Sequence, residues 1–171
     1  LMTDCKATTT LNVSHNELET IDVERIGASS NRLNFSCNMI KKIPEALFSI
    51  DNLQTINITA NLITYIPESI ANTTITALYI SENNISSLPK MPSTLMNFKA
   101  IKCSFTEFPE QLLELCRLSY IDLSNNRIKT LKEFPKCRHI GLSCNEIASI
   151  PNIPDFVTFL DVSHNCLKEL D

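Results

Sequence analysis

Asparagines recur along the chain at 16, 38, 61, 83, 126, 145 and 165, each followed two residues later by Leu or Ile and preceded by an alternating apolar stretch. Aligned on that asparagine, the chain reads LNVSHNELETI, LNFSCNMIKKIP, INITANLITYIP, LYISENNISSLP, FKAIKCSFTEFP, IDLSNNRIKTL, IGLSCNEIASIP and LDVSHNCLKEL. Only the fifth unit departs from the pattern, with Cys103 in place of asparagine. Units begin near positions 8, 30, 53, 75, 95, 118, 137 and 157 and run for 19 to 23 residues. A chain with such a period must fold as a stack of similar coils, because one unit alone cannot bury its apolar residues.

Within each unit the doublets Leu11/Val13, Leu33/Phe35, Ile56/Ile58, Leu78/Ile80, Phe98/Ala100, Ile121/Leu123, Ile140/Leu142 and Leu160/Val162 alternate with period two, so each doublet points to one face of a short strand. Stacking those strands about 4.8 Å apart in a parallel sheet joins the doublets into a continuous core. A second apolar set turns the chain back over that core. It comprises Leu18, Ile40, Ile63, Ile85, Phe105, Ile128, Ile147 and Leu167, then Ile21, Ile43, Ile66, Leu88, Phe108, Leu131, Ile150 and Leu170. Where the chain leaves the strand its backbone groups lose ladder partners, and a buried polar group must find a hydrogen bond. Asparagine carries two donors and an acceptor, so stacked copies can serve the backbone of their own and the neighbouring coil. Cys103 is a weak substitute, and unit 5 is expected to be the softest link in that ladder.

The consensus LxxLxLxxNxIxxIP resembles the leucine-rich repeat family over nearly the whole chain. The longer units look like the intracellular eukaryotic type and the shorter ones like the type found in bacterial effector proteins. The resemblance implies an α/β solenoid, a horseshoe with a parallel concave β-sheet and short helical, 3₁₀ or extended convex segments. The three prolines Pro44, Pro67 and Pro109, each followed by Glu, predict short helical turns starting at the proline in units 2, 3 and 5. Pro92, Pro135 and Pro154 predict extended or 3₁₀ crossings in units 4, 6 and 7.

All 171 residues read as a single elongated domain, with no linker or low-complexity stretch. With barely seven residues ahead of the first repeat and only Asp171 after the last consensus residue, Leu170, both terminal coils are expected to lack a cap. The expectation is a chain that continues beyond residues 1–171, or end-to-end self-association through uncapped termini. A net charge of -4 argues against an electrostatic nucleic-acid footprint. The basic residues Arg127, Lys129, Lys132, Lys136 and Arg138 read as a solvated face, and no apolar run approaches the length of a membrane span. The seven cysteines scatter over repeat positions and read as free thiols in a reducing, cytoplasmic compartment. Five Asn-x-Ser/Thr triplets, at Asn12, Asn34, Asn57, Asn72 and Asn84, pull toward a glycosylated, extracellular protein, although the repeat consensus itself generates three of them.

No motif points to catalysis, a cofactor or a metal. Two glycines, Gly27 and Gly141, cannot build a phosphate-cradling loop. His15, Cys37, Cys144 and His164 share one repeat position, so His15 neighbours Cys37 and Cys144 neighbours His164 on adjacent coils. Each pair lacks a third group, and ordinary strand exits account for them. Function is therefore expected on the concave face, where side chains between the buried strand residues vary freely. Units 1 to 3 offer Thr10, Asn12, Arg32, Asn34, Thr55 and Asn57, a bland set. Units 4 to 8 offer Tyr79, Asn97, Lys99, Tyr120, Asp122, Arg138, His139, Phe159 and Asp161, with Ile101 and Lys102 at the exit of unit 5. Aromatics framed by charges of both signs match the composition of binding hot spots. The expected function is a non-enzymatic module that holds a protein or peptide partner there. The alternatives are a regulatory or targeting segment of a multidomain enzyme or effector and, less favoured, a receptor or adhesin ectodomain.

Overall fold

The computed structural model of the protein describes residues 9–169. Each unit contributes one three-residue strand: β1 Thr10–Asn12, β2 Arg32–Asn34, β3 Thr55–Asn57, β4 Ala77–Tyr79, β5 Asn97–Lys99, β6 Tyr120–Asp122, β7 His139–Gly141 and β8 Phe159–Asp161. They form a single parallel sheet in sequence order. The register is one-for-one, so Leu11, Leu33, Ile56, Leu78, Phe98, Ile121, Ile140 and Leu160 make one inward row. From Leu33 to Ile140 that row is buried, as are Phe35, Ile58, Ile80, Ala100, Leu123 and Leu142 behind it.

The asparagine ladder forms as its donors and acceptor require. Asn83 donates to the carbonyls of Ile80 (3.0 Å) in its own coil and Ile58 (2.8 Å) in the preceding one, while its Oδ1 accepts the Ile63 amide at 2.9 Å. Asn38, Asn61, Asn145 and Asn165 repeat this scheme. Asn126 accepts two amides, from Cys103 and Phe105, both at 3.2 Å. Cys103 keeps half of the function: its thiol lies 3.4 Å from the Ile80 carbonyl it donates to. The acceptor half is lost. By the ladder rule the Ile85 amide should be received by residue 103, yet among the described residues it has no partner, although Ile85 is fully buried. Burial also pushes the Cys103 thiol pKa up to about 11.

One residue ahead of each ladder position the backbone is left-handed. His15, Cys37, Ala60, Glu82, Lys102, Asn125, Cys144 and His164 all have φ between 53° and 58°. The amides of the first seven bond the next coil, as from His15 to the Ser36 carbonyl and from Cys144 to the Ser163 carbonyl, both 2.9 Å. The shared position of the histidines and cysteines thus reflects a repeated turn. Among the described residues no group of three or more His, Cys, Asp or Glu is placed to hold a metal ion.

On the return side, 3₁₀ turns span Glu45–Ser49, Glu68–Asn72 and Glu110–Leu112 in the units where proline and glutamate predict them. The prolines sit one position earlier than expected, capping the turn. Their fixed φ feeds the turn while their carbonyls accept the amides of Leu47, Ile70 and Leu112. A further 3₁₀ turn at Val23–Arg25 is unsignalled by proline. Units 4, 6 and 7 cross without helix, and the described residues contain no α-helix, so the helical share of the α/β expectation is 3₁₀ only. At the ends the core thins. Leu18 is 36% exposed, and Leu11, Val13, Leu160, Val162 and Leu167 are only partly buried. Leu170 and Cys5 lie outside the described residues.

Candidate functional site

The side chains on the open face of the sheet fall into two rows, set by the alternation of each strand. The first runs Thr10, Arg32, Thr55, Ala77, Asn97, Tyr120, His139, Phe159. The second runs Asn12, Asn34, Asn57, Tyr79, Lys99, Asp122, Gly141, Asp161. Seven of the eight residues singled out from the sequence stand in these rows: Tyr79, Lys99, Tyr120, Asp122, His139, Phe159 and Asp161.

Arg138 does not. It precedes β7, where its carbonyl accepts the amides of Thr158 and Phe159 at 2.9 and 3.0 Å, and it lines a separate hollow with Cys116, Leu118, Lys136 and Phe156. A one-residue shift in phase places it at the strand entrance, away from the face.

In the first row, Tyr120, His139 and Phe159 stack on consecutive strands, with ring centroids 6.4 and 5.8 Å apart and planes within 23° of parallel. The spacing follows from the sheet, which presents three flat side chains at equivalent positions. Lys99 extends its Nζ to 5.1 Å from the Tyr120 ring centre, a cation over an aromatic face. Phe159 remains 53% exposed, more than any other large apolar side chain that could pack on the sheet.

The second row has a structural duty that sequence reasoning missed. At its Asn or Asp positions the side-chain Oδ1 accepts the amide two residues on. Asn12 serves Ser14, Asn34 Ser36, Asn57 Thr59, Asp122 Ser124 and Asp161 Ser163, at 3.0 to 3.1 Å. This Asx turn explains why Asn-x-Ser/Thr triplets recur. It also sorts the row. Asparagine performs the capping in units 1 to 3, so the negative charge of Asp122 and Asp161 is additional to what the turn needs. Tyr79, Lys99 and Gly141 have given the cap up altogether. Hydrogen bonds from the Ser163 hydroxyl (2.6 Å) and amide hold the Asp161 carboxyl below the usual carboxylate range.

Gly141 is the second residue not foreseen. It lies in register between Asp122 and Asp161, and a Cβ there would come within 2.8 Å of Asp122 Oδ1. Its bare backbone leaves a hollow of about 360 Å³ whose lining includes Tyr120, Asp122, His139, Phe159 and Asp161 together with Ile101. The available signal was its rarity, one of two glycines in the chain, at a strand position that elsewhere bears a side chain.

Outside the face, the basic residues behave as a solvated set. Lys129 pairs with Glu146 at 4.0 Å and Lys132 with Glu110 at 3.3 Å, all well exposed. Lys102 pairs with Glu82 at 3.5 Å. Units 2 and 3, read as bland, carry exposed Met39, Leu62 and Tyr65 on the flank just beyond the ladder asparagines. The six described cysteines, Cys37, Cys103, Cys116, Cys137, Cys144 and Cys166, are unbridged. No helix among the described residues is long and apolar enough to cross a membrane.

A family model described as Leucine Rich Repeat matches residues 117–137. In structure, the chain superposes on a leucine-rich repeat protein of Leptospira interrogans with a TM-score of 0.83 at 20% identity, covering 94% of this chain and 44% of that one. It superposes on the leucine-rich effector YopM of Yersinia pestis with a TM-score of 0.77 at 26% identity, covering 94% and 50%. The chain is a leucine-rich repeat protein. Its curated relatives include Receptor-like protein 54 of Arabidopsis thaliana, 33% identical over 53% of this chain, and an adenylate cyclase of Schizosaccharomyces pombe, 27% identical over 94%. The repeat array spans only 13% of the first and 10% of the second.

Proposed function

We propose that this leucine-rich repeat array is a non-enzymatic interaction module that holds a protein or peptide partner on the open, concave face of its sheet, centred on units 4 to 8. The observation that carries the reading is the exposed stack of Tyr120, His139 and Phe159. Three rings in a row with Phe159 half in solvent leave apolar area that a partner would cover, and aromatic anchors of this kind dominate binding energy at interfaces. The abandonment of the structural cap at Tyr79, Lys99 and Gly141 supports the same half of the face. Affinity capture from the native source, comparing wild type with Tyr120→Ala/Phe159→Ala, tests it. The partner captured by wild type should be depleted with the variant while the melting temperature of the variant stays close to that of wild type. Equal capture by both would refute the reading.

The resemblance to a cyclase that is about ten times longer favours a second arrangement, in which the array is the regulatory or targeting segment of a larger protein. The face would then engage a partner on behalf of a domain elsewhere.

A further inference from the structure

We infer that the notch over Gly141 receives a single arginine side chain of the partner, its guanidinium held between the carboxylates of Asp122 and Asp161 against the Tyr120, His139 and Phe159 rings. This rests on the concave-face reading above and names the chemistry it recognises.

The argument is one of charge and shape. Asp122 and Asp161 flank Gly141 one strand to either side, which puts their backbones roughly 10 Å apart; the glycine adds no side chain between them, and the Asp122 carboxylate leans over it. Both carboxylates retain acceptor capacity. Asp122 uses one site on Oδ1 for the Ser124 amide and one on Oδ2 for the Tyr120 hydroxyl at 3.2 Å. Asp161 commits Oδ1 to the amide and hydroxyl of Ser163 and also draws on the Ser143 hydroxyl, which still leaves part of its acceptor capacity. A carboxylate offers about four lone-pair sites, so a forked donor can still be met. The charges are not needed for folding, since asparagine fills the same turn in three other coils.

Among the described residues the lining of the notch includes no lysine or arginine, and Lys99 lies on the far side of Asp122, with its Nζ over Tyr120. The Lys99 contact shows that this row of rings already accepts a cation on its face; among the described residues no such contact falls on His139 or Phe159. The ring row and the carboxylate row stand two residues apart along the strands, roughly 6.6 Å. A planar guanidinium can stack on the one and fork to the other, which a compact ammonium cannot do equally well.

The test is a titration of the intact chain with the blocked peptide acetyl-Gly-Arg-Gly-amide, followed by amide shifts in ¹H–¹⁵N spectra, beside the same peptide bearing citrulline, lysine or norleucine. The arginine peptide should shift the amides of Asp122, Gly141, Ser143 and Asp161, and the uncharged analogues should not. Asp122→Asn/Asp161→Asn, which keeps both turns, should reduce the response at least fivefold while the chain stays folded. Gly141→Ala, which fills the notch and pushes the Asp122 carboxylate aside, should reduce the response as well. Equal shifts with citrulline, a preference for lysine, or an undiminished response in the double variant would overturn the inference. Partner capture separates this from the broader reading: loss with Tyr120→Ala/Phe159→Ala but full retention with Asp122→Asn/Asp161→Asn sinks the arginine assignment and leaves the concave face standing.

Discussion

Replacing Cys103 with asparagine should stabilise the protein, which is unusual for a substitution inside a packed repeat. In the other coils the ladder asparagine receives an amide from the preceding coil: Leu18, Ile40, Ile63, Phe105, Ile128 and Ile147, at 2.9 to 3.2 Å. The one missing member is Ile85, whose residue is fully buried and whose amide has no partner among the described residues. An unsatisfied buried amide costs about 1 to 3 kcal/mol. Asparagine would supply the acceptor and replace a weak thiol donor with two N–H groups. Against this stands the ordering of a longer side chain, of order 1 kcal/mol. A net gain of up to about 2 kcal/mol follows, which for a chain of this size raises Tm by up to roughly 8 °C. Thermal unfolding followed by circular dichroism measures the shift, and hydrogen exchange at the Ile85 amide localises it. Cys103→Ala, which removes the remaining donor, should move Tm the other way. A Tm for Cys103→Asn at or below that of wild type, with Ile85 exchange no slower, would refute the ladder argument.

Three further outcomes are expected. Asn61→Ala and Asn126→Ala should each cost about 1 to 3 kcal/mol in denaturant unfolding, because each strands carbonyls and amides of two coils, and unmoved midpoints in both would contradict the ladder. The Asp161 carboxyl titrates below its ordinary value of 3.8 in the folded protein, so its contribution is present above that pH and fades as pH falls through the lower folded value; Asp161→Asn should flatten this part of a Tm profile taken between roughly pH 5 and pH 2, and an unaltered profile would dissociate the group from the turn. Alkylation of the unfolded chain without reductant should add seven adducts by intact mass, and fewer would mean that a disulfide exists and favour the secreted reading.

The fold was almost wholly legible because every unit repeats the same physical solution. Period-two doublets recur in all eight units, the asparagine in seven and prolines ahead of glutamate in three, and each has a single local meaning. The departures arise where a residue's meaning depends on phase or on a neighbour. Arg138 adjoins β7 without belonging to it, and adjacency alone does not set a side chain on the face. Pro44, Pro67 and Pro109 serve their turns from one position earlier because a capping carbonyl, not only a missing amide, suits the site. The Asx role of Asn12, Asn34, Asn57, Asp122 and Asp161 was hidden behind a triplet with a more familiar reading. Gly141 contributes an absence that a sequence does not display, and only the register that sets it between Asp122 and Asp161 gives that absence a shape. Rows of residues could be read from the period; the stacking of Tyr120, His139 and Phe159 and the tilt of Lys99 over it could not, since they depend on rotamers.

The central claim, that the partner sits on the sheet face of units 4 to 8, is tested most directly by position-specific photo-crosslinking in the intact protein. A photoreactive phenylalanine analogue at Phe159 or Tyr79 should form an adduct with the captured partner, whereas the same analogue at Lys132 on the convex side, and at Thr55 in the unadorned part of the sheet, should give little. Strong adducts from Lys132 with none from Phe159 and Tyr79 would contradict the account.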